Sequence, residues 1–231
     1  MKLRPLISLA AFSAMAVASA QVTSVGSITP TATEDFESYG TFGEFPSALF
    51  GGAVGVDYLS GTDYGGIRSA GSWSLYPRDN SGFTPVIPQS GDQFLALPGW
   101  AGGGSRGSIR LNFDSPVYQF GGYFSDILGG LAPSYGLTEA DAYTFFDFYV
   151  ADGFGGESIL YSTSIDLISE DGELHWAGFA SNVAFSSVVV SGWEIPMDDL
   201  VISSQAVPEP ASIAALGLGG LALLRRRRKS A

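Results

Sequence analysis

The sequence predicts an all-β protein: a single β-sandwich, jelly-roll-like domain, flanked by an N-terminal signal peptide and a C-terminal apolar helix. Three observations carry this. Apolar and polar residues alternate with period two, most clearly where Ile109, Leu111 and Phe113 interleave with Arg110, Asn112 and Asp114. Glycine is abundant, 31 of 231 residues, and turn dipeptides such as Asp152-Gly153 and Asp171-Gly172 separate the alternating runs. Between Gln21 and Ala206 the best helical stretch, Leu137 to Ala142, is too short to organise a helical layer.

In chain order the strand expectations begin loosely, with Thr33 to Tyr39, a Gly/Phe-rich stretch, Gly71 to Tyr76, and Gln93 to Leu97. The strand at Ile109 to Phe113 is followed by Tyr118, Phe120 and Phe124, after Pro116 and interrupted by Gly121 and Gly122. Thr144 to Val150 and Ser158 to Ile165 flank the Asp152-Gly153 turn. Leu174 to Phe179 and Val183 to Val190 read as two strands separated at Asn182, and Leu200 to Ile202 closes the series. Short strands at this spacing with Gly-rich turns give a sandwich, and no period of repeat length appears.

The two ends read differently. Lys2 and Arg4 precede the apolar run Leu6 to Ala18, and Ala18-Ser19-Ala20 is a small-residue cleavage site, so residues 1–20 form a signal peptide and the mature chain starts at Gln21. The ectodomain spans 21–206, and 207–231 is a sorting and anchor segment. That segment has three parts in order: Val207-Pro208-Glu209-Pro210, the apolar run Ala211 to Leu224, and the basic cluster Arg225, Arg226, Arg227, Arg228 and Lys229. As a helix the apolar run reaches ~21 Å, short for a ~30 Å hydrocarbon core, and snorkelling arginines and local thinning make up the difference. The arginines hold the cytoplasmic side and leave the preceding domain outside.

This ordered triad resembles the PEP-CTERM sorting domain of Gram-negative bacteria that make exopolysaccharide. The resemblance implies an exosortase as processing partner, with Pro208, Glu209 and Pro210 as its recognition motif and Arg225 to Arg228 fixing membrane topology. The prolines keep the backbone extended around Glu209 and so accessible to a protease-like site. More loosely, Asp35-Phe36-Glu37, Gly91 to Leu97, Leu111 to Gly121 and Met197 to Val201 resemble other ectodomains of such proteins. The protein is then a non-enzymatic, exported surface or extracellular-matrix component, associated with exopolysaccharide or biofilm. It touches the inner membrane transiently through its C-terminal helix.

Other motifs in the chain have plainer roles. Gly103-Gly104-Ser105-Arg106-Gly107 matches G-x-S-x-G, and Gly102, Gly104 and Gly107 match G-x-G-x-x-G, but no helix follows, so a glycine-rich surface loop is the better account. His175, the sole histidine, would have to serve Ser105 as base in a secreted hydrolase, and is more simply a strand residue. Glu139-Ala140-Asp141 does not extend to a glycosidase pair. Glu170-Asp171-Gly172-Glu173 and Asp198-Asp199 are dense enough for calcium, although no EF-hand-like loop exists, and solvated turn carboxylates are the alternative. Tyr58, Tyr64, Trp73, Tyr76 and Trp100 lie in Gly/Ser-rich segments and could stack on sugar rings, making a carbohydrate-binding module, with or without calcium, the second reading. With no cysteine and one histidine, disulfides, thiol catalysis and multi-histidine metal sites are excluded, and the expectation is no required cofactor.

Charge sharpens this. The whole chain carries −12, but seven of its 11 basic residues lie in the two ends. Residues 21–210 hold four arginines, no lysine and all 23 acids, a formal charge of −19. Nucleic acid is no partner for such a surface.

Overall fold

The computed structural model describes residues 21–206 apart from 41–42, 61–64, 73, 76–83, 98–105, 127–137, 139–142, 168–171 and 194. The all-β expectation holds. The strands are β1 (Val22–Ser24), β2 (Ala32–Glu34), β3 (Ala48–Leu49), β4 (Val54–Ser60), β5 (Gly66–Ser69), β6 (Ser74–Leu75), β7 (Thr84–Pro85), β8 (Gln93–Leu97), β9 (Gly107–Phe124), β10 (Thr144–Ala151), β11 (Glu157–Ile165), β12 (His175–Gly192) and β13 (Ile195–Ser203). One 3-10 turn, Phe50–Gly52, is the helical structure among the described residues.

Two 18-residue strands, β9 and β12, organise everything else. They pair antiparallel along their length, with register shifts between Ala180 and Phe185 and between Phe185 and Ser187. On one side of this bend the neighbours are β10, β11 and β4; on the other they are β1, β13, β8 and β5. The eleven-stranded sheet therefore folds into two leaves that share β9 and β12. Leaf A runs β11-β10-β12-β9-β4-β3, using Asn112 and Ser187 onward from the bend; leaf B runs β1-β12-β9-β13-β8-β5, with β2 also on β13.

The bend explains two differences from the sequence expectation. Pro116, which cannot donate to a ladder, sits where β9 has no registered partner on β12 between Asn112 and Val117, so it does not end the strand. Asn182 marks the corresponding corner of β12 rather than a turn between two strands.

Phenylalanine fills the space between the leaves. Phe146 of leaf A lies 5.2 Å from Phe124 and 4.9 Å from Phe179 of leaf B, and Phe148 lies 5.0 Å from Phe179. Phe113 and Phe148 meet Phe185 at the corner in edge-on contacts of 5.7 and 5.2 Å. These are favoured aromatic geometries, and Phe120, Phe124, Phe146, Phe148 and Phe179 are fully buried. On the outer face of leaf B, Gly121 pairs with Gly178 and leaves a slot for the Trp176 ring; a Cβ on Gly178 would lie 2.7 Å from that ring. The Trp176 indole N–H donates to the Val25 carbonyl at 2.8 Å and so staples the segment after β1 to the leaf.

The fold has two distinct ends. At the corner lie Gln21, Asn182, Ser204, Gln205 and the β10–β11 turn. At the opposite, open end lie Gly107, Phe124, Thr144, His175, Gly192 and Ile195.

Candidate functional site

Both ends of the described chain are pinned at the corner. The Gln21 backbone N–H donates to the Asn182 side-chain oxygen at 2.9 Å, and the Asn182 N–H donates back to the Gln21 carbonyl at 3.3 Å. At the other end the Ser204 N–H donates to Thr31 Oγ1 at 3.2 Å, and the Gln119 amide donates to the Gln205 carbonyl at 3.1 Å. Gln21 and Gln205 extend from β1 and β13, three strand spacings apart, which is about 14 Å. Regular pairing thus reaches within a few residues of both processing points read from the sequence. Val207, Pro208, Glu209, Pro210 and Arg225 to Arg228 lie outside the described residues, as do the signal peptide and the apolar run. Among the described residues no helix is long and apolar enough to cross a membrane.

Of the five candidate sugar-stacking aromatics, Tyr64, Trp73, Tyr76 and Trp100 lie outside the described residues. Tyr58 faces the core: Phe45 meets its ring edge-on at 4.6 Å, and its hydroxyl donates to the Pro46 carbonyl at 3.0 Å. Burial raises its phenol pKa above the ordinary value, so it stays a neutral donor. Ser60 and Arg106, which flank the segments bearing Tyr64 and Trp100, are joined by a 2.7 Å bond from the Ser60 hydroxyl to the Arg106 carbonyl. The Arg106 guanidinium stacks 4.1 Å from the Phe145 ring centroid.

Ser105 and the preceding glycines, Glu139 to Asp141 and Glu170-Asp171 also lie outside the described residues. His175 is exposed, at the start of β12 opposite Phe124. Glu173 is exposed beside it. The Asp198-Asp199 pair has a structural task. Asp198 is fully buried; its Oδ2 accepts the N–H groups of Gln89 and Ser90 at 2.8 and 3.1 Å, and its Oδ1 accepts the Asp199 N–H at 2.7 Å. Desolvation pushes its pKa up to about 7 against the lowering effect of these bonds. Asp199 sits at the β13 bulge with φ of 45° and accepts the Ser90 hydroxyl at 2.7 Å. The two acids tie the 88–90 segment to the bulge. Among the described residues no three His, Asp or Glu side chains gather as a cation site.

Three features were missed at the level of sequence. Glu34 is buried and accepts the N–H groups of Phe36 and Phe50 at 3.2 and 2.6 Å and the Tyr39 hydroxyl at 3.1 Å, pinning a turn in which Phe36 has φ of 61°. On the outer face of leaf A, Arg110 stacks over Tyr149 and pairs with Glu157, which also accepts the Ser186 and Ser187 hydroxyls. The third is Phe154, which is 97% exposed at the β10–β11 turn. Only an unusual Phe between glycines, Gly153-Phe154-Gly155, could have signalled it.

The described residues form an all-β domain, followed in the sequence by the segment 207–231. Residues 206–229 match the PEP-CTERM protein-sorting motif, so the chain carries the signal of an exosortase-sorted, exported surface protein. No curated protein matches the chain. Among solved structures, the K2 cleaved adhesin domain of Lys-gingipain is similar, with a TM-score of 0.41 and 14% identity over 75% of this chain and 97% of that one.

Proposed function

We propose that this protein is a non-enzymatic structural component of the surface or extracellular matrix of a Gram-negative, exopolysaccharide-forming bacterium. Its apolar run Ala211 to Leu224 holds it transiently in the inner membrane, with Arg225 to Arg228 on the cytoplasmic side, until exosortase acts at Pro208-Glu209-Pro210. The single observation that carries this reading is the sorting motif at 206–229. It is supported by the end of the described residues: Gln205 is still bonded to the sheet through Gln119, and the motif begins at the next residue in the sequence. In this reading the ectodomain is a jelly-roll-like module with no catalytic residue and no required cofactor. The test is cell fractionation of the full chain and of a chain lacking 207–231, in an exosortase-bearing host. The full chain should reach the cell surface and the shortened one should accumulate in the periplasm or medium; identical distributions would refute the proposal.

A second reading, a carbohydrate-binding module with possible calcium assistance, is favoured by one arrangement. The segments bearing Tyr64 and Trp100 border the joined Ser60–Arg106 pair at the open end, where Arg106 stacks on Phe145 and away from the membrane-directed termini. Extracellular polysaccharide would be the ligand. A glycan array on the mature chain, with and without calcium, decides it: selective binding supports this reading, and uniform absence of binding removes it.

A further inference from the structure

The Phe154 ring is not part of the core. It is 97% exposed, and its turn is nonetheless well built. Asp152 Oδ1 accepts the N–H groups of Phe154 and Gly156 at 2.8 and 2.9 Å, the Asp152 N–H donates to the Gly156 carbonyl at 2.9 Å, and Gly153 and Gly155 take the positive φ that this turn needs. An aromatic ring held outward on a hydrogen-bonded tip presents apolar surface of the kind that buries at a membrane interface.

The position of the tip points the same way. β10 pairs with β12 up to Tyr149 opposite Ser187, then runs two residues further to Ala151, level with the corner residue Phe185. The Asp152–Gly156 turn therefore projects past the corner, at the end of the molecule from which Gln21 and Gln205 leave. From Ala206 to Pro210 five residues separate the last anchored residue from the apolar run, and fully extended they reach about 17 Å. While the tail is in the membrane, Gln205, at the corner, stays within about this distance of the point where the apolar run begins. The turn carries no lysine or arginine, and its one charge, Asp152, is engaged by backbone N–H groups. A contact there would be apolar rather than a grip on phosphate.

We propose that Phe154 inserts into the interfacial layer of the bilayer while the tail is uncleaved, giving the tethered precursor a fixed orientation with its corner toward the membrane and its open end away. The inference rests on the tail-anchored reading above, and its test separates the two. The chain has no cysteine, so single-cysteine variants take one label each. Ser158→Cys places an environment-sensitive fluorophore on the exposed flank of the hairpin, and His175→Cys places it at the open end. The tail-bearing chain is incorporated into vesicles of mostly phosphatidylethanolamine with a minority of phosphatidylglycerol and headgroup nitroxide lipids. Quenching at position 158 should exceed that at 175 by at least about two-fold, and Phe154→Asp should abolish the difference. If the chain floats with vesicles but 158 is not preferentially quenched, or Phe154→Asp leaves the difference intact, the orientation proposal fails and the anchor stands. If the chain does not float, the anchored reading itself fails. If fluorescence at 158 instead changes with protein concentration without lipid, the ring contacts protein and the proposal is overturned.

Discussion

Replacing Asp198 by asparagine should change how stability depends on pH. Between the unfolded value of 3.8 and the native value of about 7, the folded carboxyl holds a proton that the unfolded chain has released. The native state binds more protons in this window, so stability falls as pH rises through it. At 1.36 kcal/mol per pH unit, the loss attributable to Asp198 between about pH 5 and pH 8 is about 2.5 kcal/mol. Asp198→Asn removes this dependence. It also leaves at least one of the Gln89, Ser90 and Asp199 N–H groups without its acceptor, since an amide has one oxygen, at a pH-independent cost of about 1–3 kcal/mol. Urea unfolding followed by tryptophan fluorescence at the two pH values separates these effects. The natural protein should lose about 2.5 kcal/mol more than the variant over that interval. Parallel losses would show that Asp198 stays ionised, and the account in which its burial outweighs the three N–H bonds would be wrong.

Two further substitutions test the packing argument. Glu34→Ala should cost about 3–5 kcal/mol, because the buried N–H of Phe36 and the half-buried N–H of Phe50 lose a charged acceptor; a loss under about 1 kcal/mol by denaturant unfolding would show that water or rearrangement replaces it. Phe146→Ala should cost about 3–5 kcal/mol, since the ring bridges Phe124 and Phe179 across the leaves; a small effect would mean that the leaves do not depend on this cluster.

The sheet was legible where alternation is strict. Ile109, Leu111 and Phe113 do face the core side of leaf A, Gln93 to Leu97 forms β8, and the Asp152-Gly153 dipeptide does turn β10 into β11. What escaped was non-local. The merging of two expected strands into β9, and of two into β12, depends on a bend that neither Pro116 nor Asn182 reveals alone. β4 was overlooked because Gly55 and Asp57 weaken its β signal, although Val54, Val56 and Tyr58 alternate correctly opposite Phe113, Leu111 and Ile109. The task of Asp198 was hidden for a similar reason: two of the three backbone N–H groups it binds, those of Gln89 and Ser90, are more than 100 residues away in sequence. The tail could be read directly because its information is linear, a Pro-Glu-Pro motif, an apolar run and a basic cluster in fixed order, and needs no tertiary contact to be recognised.

The central claim is that this is a processed, surface-sorted protein, and the intact mass of the chain recovered from the cell surface tests it most directly. The account predicts a polypeptide that begins at Gln21 and has lost the apolar run and Arg225 to Arg228, ending near Pro208-Glu209-Pro210 apart from any group added there. Recovery of a surface form that retains Arg225 to Arg228 would contradict it and reduce the tail to a plain membrane anchor.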